Sequence, residues 1–392
     1  MITMTQSKHS SIRTIIATIV ALVLTLTACS PQKSADSATG TQTLTDALGR
    51  TVEIPKNPDR ILLGGQRELY TTAILNPDNP LDKIVAWPND LLENDPDTYH
   101  AYAEKFPKLK EIQTTGEIWD NSFSLEQALQ TRPQVFVISA SSFKAAEEAG
   151  IISGFEKAGI PTVVIDYFVE PIKNTVPSIR IMGQLFGQQQ RAEEFVKFYE
   201  SRIKNVTDTL ERTKPQEQRV FLWRAPGYFD CCQTFKESNL AKIVTAAGGT
   251  NLGDNLLSSQ QGTLSPEAVA KAAPDVVIAT GANWSSESSP AKPGTYVPLG
   301  YSADSKNVAQ EWKKVLEKQT VINQVQAVKS KRAYVAWHHF YDSPYNFLAV
   351  EWFAQAIHPR EFADLEPERD FQELHTRFLP VDANGTFWTG LP

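Results

Sequence analysis

With 392 residues, the chain has room for two domains and too much sequence for one ordinary core. Hydrophobic residues make up 41% and charged residues 21%, the balance of a soluble globular protein, and a net charge of −7 without long basic runs argues against nucleic acid as a partner. After the first thirty residues no segment approaches transmembrane length.

The N-terminal residues read as a targeting segment. Lys8 and Arg13 supply a positive region, residues 15–26 an apolar one, and Leu26-Thr27-Ala28-Cys29 stands at the cleavage position. A cysteine directly after two small residues resembles the lipobox of bacterial lipoproteins. That resemblance implies a signal peptide over 1–28, cleavage before Cys29 and lipidation of its thiol; an ordinary secretory signal with an accidental cysteine is the alternative. Removing Lys8 and Arg13 with the leader takes the net charge from −7 to −9. Residues 29–43, rich in Ser, Thr, Gln and Ala, read as a flexible tether. The mature protein is then extracytoplasmic, held to the membrane through the lipid on Cys29 alone.

Folded structure is expected from Leu44, with residues 47–50 turning between two extended pieces. A strand over 61–63 leads through Gly64-Gly65 into a helix opened by Gln66 and Arg67, where an anion would meet free N–H groups and a guanidinium together. A strand over 83–87 ends in Pro88-Asn89-Asp90, a third over 135–138 in Ser139-Ala140-Ser141-Ser142, and a fourth over 161–166 in Tyr167-Phe168. Strands alternating with helices at this spacing predict a parallel, doubly covered sheet. Residues 174–212 then carry apolar side chains in steps of three and four, the stripe of a helix. Asn174 is the expected cap, Pro177 falls in the first turn, and Gly187 divides the run. The part from 188 to 212 would be about 37 Å long, a strut rather than a loop.

On either side of the strut the chain says nearly the same thing twice. Ser124-Leu125-Glu126, Pro133 and an apolar strand precede it; Ser265-Pro266-Glu267, Pro274 and the strand 276–278 follow it, with the same spacing. Each copy reads as a serine cap, a short helix, a proline stop and a buried strand. Strand 83–87 is matched with 219–223, and 161–166 with 332–337. The economical reading is α/β: two Rossmann-like lobes over 44–173 and 213–392, joined by linker helices over 174–212, with mainly parallel sheets and a ligand cleft between the lobes. In the second lobe, Arg224-Ala225-Pro226-Gly227-Tyr228, Asn283-Trp284 and His338-His339-Phe340-Tyr341 end the strands, and residues 285–305 form a Ser/Pro/Gly-rich excursion carrying Tyr296 and Tyr301. Cys231 and Cys232 lack metal or redox spacing and read as structural, either as a vicinal disulfide or as free thiols.

Ligands of open parallel sheets bind beyond the carboxyl ends of the strands. The cleft residues are therefore Arg67, Asn89, Ser141 and Tyr167 from the first lobe, with Arg224, Tyr228, Trp284, His338, His339 and Tyr341 from the second. Guanidinium forks, phenols, indole and imidazole suit an anionic, partly aromatic or metal-chelated small molecule. For the arginines the bland alternative is solvated surface, and for the histidines loop packing. In an extended loop His338 and His339 point opposite ways, so one of them at most faces a given ligand; a direct metal contact from His338, His339 or Tyr341 is left open. There is no His-Glu-x-x-His, Gly-x-Ser-x-Gly, phosphate loop or dinucleotide fingerprint, which lowers an enzymatic reading. Glu126 and Glu267 sit just inside matching helix caps, where the dipole favours a carboxylate; their equivalence in both lobes suits a two-point dock onto a basic partner.

Together these residues resemble the substrate-binding lipoproteins of ABC importers for iron-siderophores, haem and cobalamin. The resemblance spans essentially the whole mature chain and is carried by residues 45–50 ahead of Pro55 and Pro58, Leu125-Glu126, Pro266-Glu267, Gly248-Gly249-Thr250-Asn251-Leu252, Ala327-Val328 ahead of Ala333-Tyr334-Val335, and Tyr341-Asp342-Ser343-Pro344 with Ala349, Glu351-Trp352 and His358-Pro359. It implies that Glu126 and Glu267 contact arginines of a permease dimer working with its ATPase. It also implies that the cleft holds a chelate, that lobe closure is small, and that the protein is a monomeric carrier with no intrinsic cofactor. The excursion departs from shorter members of the family. The leading expectation is a non-enzymatic carrier of a ferric siderophore, with haem, cobalamin, another chelate or an oxyanion such as molybdate open. A metal-dependent enzyme using His338 and His339, and a surface adhesin, are the readings from other classes.

Overall fold

The computed structural model describes residues 40–284 and 294–392. The expected leader, Cys29 and most of the tether lie outside the described residues, as do positions 285–293 of the excursion. Order begins three residues earlier than expected: β1 (Thr41–Thr45) pairs antiparallel with β2 (Thr51–Pro55), Thr41 opposite Pro55. The turn between them is built by Asp46, whose Oδ1 accepts the N–H groups of Leu48 and Arg50, both at 3.0 Å, while Oδ2 takes the Arg50 guanidinium. Ala47 N–H to Val164 O, 2.9 Å, then fastens the hairpin to the first sheet.

That sheet contains β3 (Ile61–Leu63), β4 (Ile84–Trp87), β5 (Gln113–Thr114), β6 (Val135–Ser139) and β7 (Thr162–Ile165) in the order β5-β4-β3-β6-β7, all parallel. Helix α1 (Leu69–Leu75) follows β3, and α2 (Leu125–Gln130) precedes β6. Apart from the exposed two-residue edge strand β5, the strands are mainly apolar and largely buried, as a doubly covered sheet requires.

The connection between lobes is α3 (Pro171–Phe186) and α4 (Gln189–Thr213), broken by Gly187 at φ +71°. The start differs from expectation. Pro171, not Asn174, opens α3, and Asn174 lies within it with its side-chain amide on Asp166 Oδ2 at 2.7 Å; Pro177 is mid-helix. Asp166 collects the N–H groups of Phe168, Val169 and Glu170 as well, so the anchor for the helix start lies five residues before α3 begins. Along α4 the stripe Phe195, Val196, Phe198, Tyr199 and Val206 is buried.

The second sheet comprises β8 (Arg219–Trp223), β9 (Thr250–Asn251), β10 (Val276–Gly281), β11 (Ala333–Trp337) and β12 (Trp388–Gly390), ordered β9-β8-β10-β11-β12, parallel but for β12. The fold is α/β, two lobes with mainly parallel sheets. One expected match is corrected by the strand order. Residues 219–223 pair directly with β10, as Ile61–Leu63 pair with β6, so they answer to β3; the partner of 83–87 is the two-residue β9. The repeat itself is physical. Ser124 Oγ accepts from Gln127 N–H at 3.3 Å at the head of α2, and Ser265 Oγ from Ala268 N–H at 3.1 Å at the head of α5 (Pro266–Ala272). Among the described residues no helix is long and apolar enough to cross a membrane.

Candidate functional site

The loops that follow β3 and β11 meet across the gap between lobes. Arg67 is the centre of that meeting. Its Nε binds Asp90 Oδ2, and its Nη1 binds Tyr341 Oη at 3.0 Å and the Asp342 carboxylate. Asp90 Oδ1 also takes the Gln66 N–H. The anion expected at this helix start is thus the protein's own Asp90, and Arg67 is spent on two carboxylates rather than offered free. Burial outweighs Arg67 at Asp342 and pushes its carboxyl up to about 7.

Arg224, at the end of β8, is in the opposite condition. Its Nη1 donates to Gln233 Oε1 at 3.0 Å and its guanidinium lies 4.3 Å over the Phe229 ring, but among the described residues no carboxylate lies within ion-pair distance, and its buried Nε has no acceptor. Burial lowers its pKa, with the phenols of Tyr341 and Tyr228 opposing. A half-buried cation lacking a counter-charge is a standing attraction for an anion.

Around Arg224 runs an aromatic wall. Tyr228 packs on Trp284 at 4.5 Å between centroids, Trp284 on Tyr296 at 5.2 Å and on His338 at 5.4 Å, and His338 on Tyr341 at 4.9 Å. Gly227 permits the close turn beneath it: at φ +83°, an added Cβ would fall 1.7 Å from Thr295 O. The described part of the excursion therefore folds back as cleft wall.

The histidines depart from the extended loop expected for them. Residues His338–Asp342 form a 3-10 turn in which both rings are buried. His338 Nδ1 lies 2.8 Å from Thr280 Oγ1, a hydroxyl that also accepts from Ala225 N–H and so holds the ring against the end of β8. His339 is 1% exposed and its Nε2–H donates to Asn94 O at 2.9 Å, behind the cleft. Burial drives both pKa values down, that of His339 to about 3, so neither ring is charged at neutral pH. Among the described residues no three His, Cys, Asp or Glu converge as a metal cluster.

On the first lobe, a recess of about 580 Å³, counting its open mouth, is lined by Arg67, Glu68, Asp90, Glu117, Trp119, Ser139, Ser141, Tyr167 and Asp342, among others. Tyr167 Oη accepts from Thr71 Oγ1 at 3.0 Å, and Ser141 Oγ lies 2.9 Å from Ser139 Oγ. Asn89 contributes a backbone N–H to Glu117 Oε1 at 3.0 Å. The sequence reading missed four acids here, Glu68, Asp90, Glu117 and Asp342, and the rim residue Trp119. Asp90 and Asp342 were legible by the rule that selected Asn89 and Tyr341, since each is the next residue at a strand's carboxyl end.

Glu126 and Glu267 are both exposed, in the first turns of α2 and α5, with no cation within 4 Å among the described residues. Each helix head is tied beside a strand end: Ser124 N–H to Thr115 O and Thr115 N–H to Trp87 O in one lobe, Leu264 paired with Cys232 in the other. Cys231 and Cys232 form a vicinal disulfide.

A family model described as periplasmic binding protein matches residues 84–337, well over half of the chain. The chain belongs to the periplasmic binding protein family. The matched span runs from β4 to β11, so it takes in much of each lobe and the whole linker between them. This binding protein is 23% identical over 241 residues to an uncharacterized ABC transporter substrate-binding lipoprotein, YvrC, of Bacillus subtilis, covering 61% of the present chain and 68% of the relative. Among solved structures it resembles the TroA-like periplasmic binding protein FepB of Veillonella parvula, at 25% identity and a TM-score of 0.81 over 89% of this chain and 99% of that one. It shares its fold with the molybdate-bound MolA of Haemophilus influenzae, at 17% identity and a TM-score of 0.64 over 88% and 99% of the two chains. Proteins of this family bind solutes for transport and are not enzymes.

Proposed function

We propose that this binding protein is a lipid-anchored, extracytoplasmic carrier that delivers an anionic metal chelate, a ferric siderophore, to an ABC importer. The observation that carries the reading is Arg224, a half-buried guanidinium with no carboxylate beside it among the described residues, next to an aromatic wall from Tyr228 to Tyr341. The wall offers face and edge contacts to the organic shell of a chelate, and the cation meets its charge. Arg67 acts at one remove, holding the Tyr341 loop in position rather than neutralising the ligand. The family match and the substrate-binding lipoprotein among the relatives support the importer role. Docking onto basic residues of the permease falls to Glu126 and Glu267.

Titrating the soluble domain with ferric siderophores, haemin, cobalamin and molybdate while following tryptophan fluorescence tests the ligand, because Trp284 stands in the wall. Saturable quenching by a ferric siderophore is expected. Arg224→Ala should weaken it about 10- to 100-fold, the worth of a charge-assisted hydrogen bond in a water-poor site. Tighter saturation by haemin, cobalamin or molybdate would move the assignment to that ligand.

A further inference from the structure

The recess on the first lobe is lined by acids, the wrong groups for the anion that Arg224 attracts. Four carboxylates line it, those of Glu68, Asp90, Glu117 and Asp342, and Arg67 is the one cation among its lining residues. Arg67 is shared between Asp90 and Asp342, which leaves Glu68 and Glu117 with no cation within 4 Å among the described residues. Glu117 is at least hydrogen-bonded, by Asn89 N–H at 3.0 Å and Trp119 Nε1–H at 3.1 Å. Glu68 is not. It is 8% exposed, lines the recess, and receives no hydrogen bond at its carboxyl from any described residue. Buried carboxyls are ordinarily satisfied within the protein; the Glu68 carboxyl instead opens onto the recess, so its partners come from what enters there, water or a donor group of a ligand.

We propose that this recess is a subsite for a positively charged amine group of the transported molecule, with Glu68 as its acceptor and Trp119 as its outer wall. The proposal rests on the binding-protein reading for what carries the amine, not for the site itself. An ammonium has three donors and no acceptor, which fits a pocket that offers the Glu68 carboxyl and, beside it in the lining, the Ser139 and Ser141 hydroxyls, bonded to each other but each with a lone pair still able to accept. Trp119 is 64% exposed at the rim, with its indole N–H fixed on Glu117, so its ring face is available to a cation entering beside it. A bare metal ion fits less well, since no three-donor cluster forms among the described residues. Burial, followed by the neighbouring Asp90, pushes Glu68 and Glu117 each up to about 8, the state of carboxyls that lack the cation they would hold. With Arg224 in the second lobe, the cleft suits a chelate whose oxygen-rich metal end accepts from a guanidinium and whose other end is cationic.

The test is calorimetric titration of the soluble domain and its Glu68→Gln variant with three probes: ferrioxamine B, an iron chelate ending in a free ammonium; its N-acetyl derivative, neutral at that end; and cadaverine, a diamine with no chelating part. The wild type should bind the ammonium form about 10- to 100-fold more tightly than the acetylated form, and Glu68→Gln should erase most of that ratio. Trp119→Ala, a change at an exposed side chain, should shrink the same ratio several-fold and guards against misfolding of the buried variant. Equal binding of the two chelates overturns the subsite while leaving the chelate reading intact. Cadaverine bound by the wild type but not by Glu68→Gln, with neither chelate bound, supports the subsite and removes the ferric chelate. A preference undiminished in Glu68→Gln, or no binding of any probe, overturns the proposal.

Discussion

At the scale of single residues, this protein keeps several acids where water cannot reach them, and Glu351 is the clearest case. It is 0% exposed, and with both neighbouring carboxylates ionised nothing donates to either of its oxygens. A proton shared with Asp370, itself held by Arg202 at 2.8 Å, supplies the missing bond. Burial, then Asp370, raises the Glu351 pKa to about 9. A folded pKa above the unfolded value means that the native state binds the proton more tightly. The stabilisation is complete below the unfolded value of 4.5 and is lost as the pH rises through 9. Glu351→Gln keeps a donor and cannot ionise. Its melting temperature should match that of the wild type near pH 4 and exceed it increasingly as the pH rises above 5, by the equivalent of roughly 4 kcal/mol at pH 8. Parallel melting curves of the two proteins across that range would show that Glu351 is not the proton holder. The sequence could not have announced this residue, because Glu351 lies in an otherwise apolar helix and its meaning depends on Asp370, nineteen positions on.

At the scale of elements, what the sequence made legible was local. The serine caps of α2 and α5, the proline stops and the buried strands each depend on residues within one turn, and they form as that spacing dictates. What it concealed was pairing. Strand β3 has three residues and β9 two, too short for a pattern to distinguish them, so the match of 83–87 with 219–223 went astray on strand order alone. The same limit hid the recess: Glu68 is meaningful only beside Asp90 and Glu117, which arrive on other strands' loops. The two caps nevertheless yield a prediction. Glu126 and Glu267 are exposed in the first turn of α2 and α5 and their side chains serve nothing inside the protein, so replacing both with Gln forfeits only the dipole contribution, about 0.3–1 kcal/mol each. Uptake of labelled chelate by cells carrying the double variant should fall to background, while fluorescence titration of the purified domain returns the wild-type affinity. Weakened binding in the purified domain would mean that these acids face the ligand and not the permease.

At the scale of the molecule, the question is how far the lobes move, and the answer follows from what is bonded across them. Helix α4 is fixed to the first lobe by Arg191 Nε to Ile74 O at 3.1 Å and to the second by Tyr199 Oη to Asn346 Oδ1 at 2.8 Å, while Asn346 Nδ2 reaches Thr175 Oγ1 of α3 at 2.8 Å. Beyond the linker the lobes touch directly: Tyr345 Oη donates to Tyr70 O at 3.3 Å, Ser302 N–H to Asp97 Oδ2 at 2.9 Å, His339 Nε2–H to Asn94 O, and Arg67 grips Asp342. The Tyr345–Tyr70 bond is buried and the other three are partly so; a wide opening would exchange each for bonds to water at a net cost of about 0.5–1.5 kcal/mol apiece, and about 1.5–3 for the charged Arg67–Asp342 pair, several kcal/mol together. That penalty exceeds what a ligand's differential contacts would ordinarily return. Spin labels at the exposed positions Gln127 and Lys271, one on each lobe, should therefore report a distance that changes by less than about 2 Å when the cleft is saturated. A change of many ångströms would mean that the bonds made across the lobes belong to one of two populated states. In that case Arg67, released from Asp342 in the other state, would become a second ligand cation.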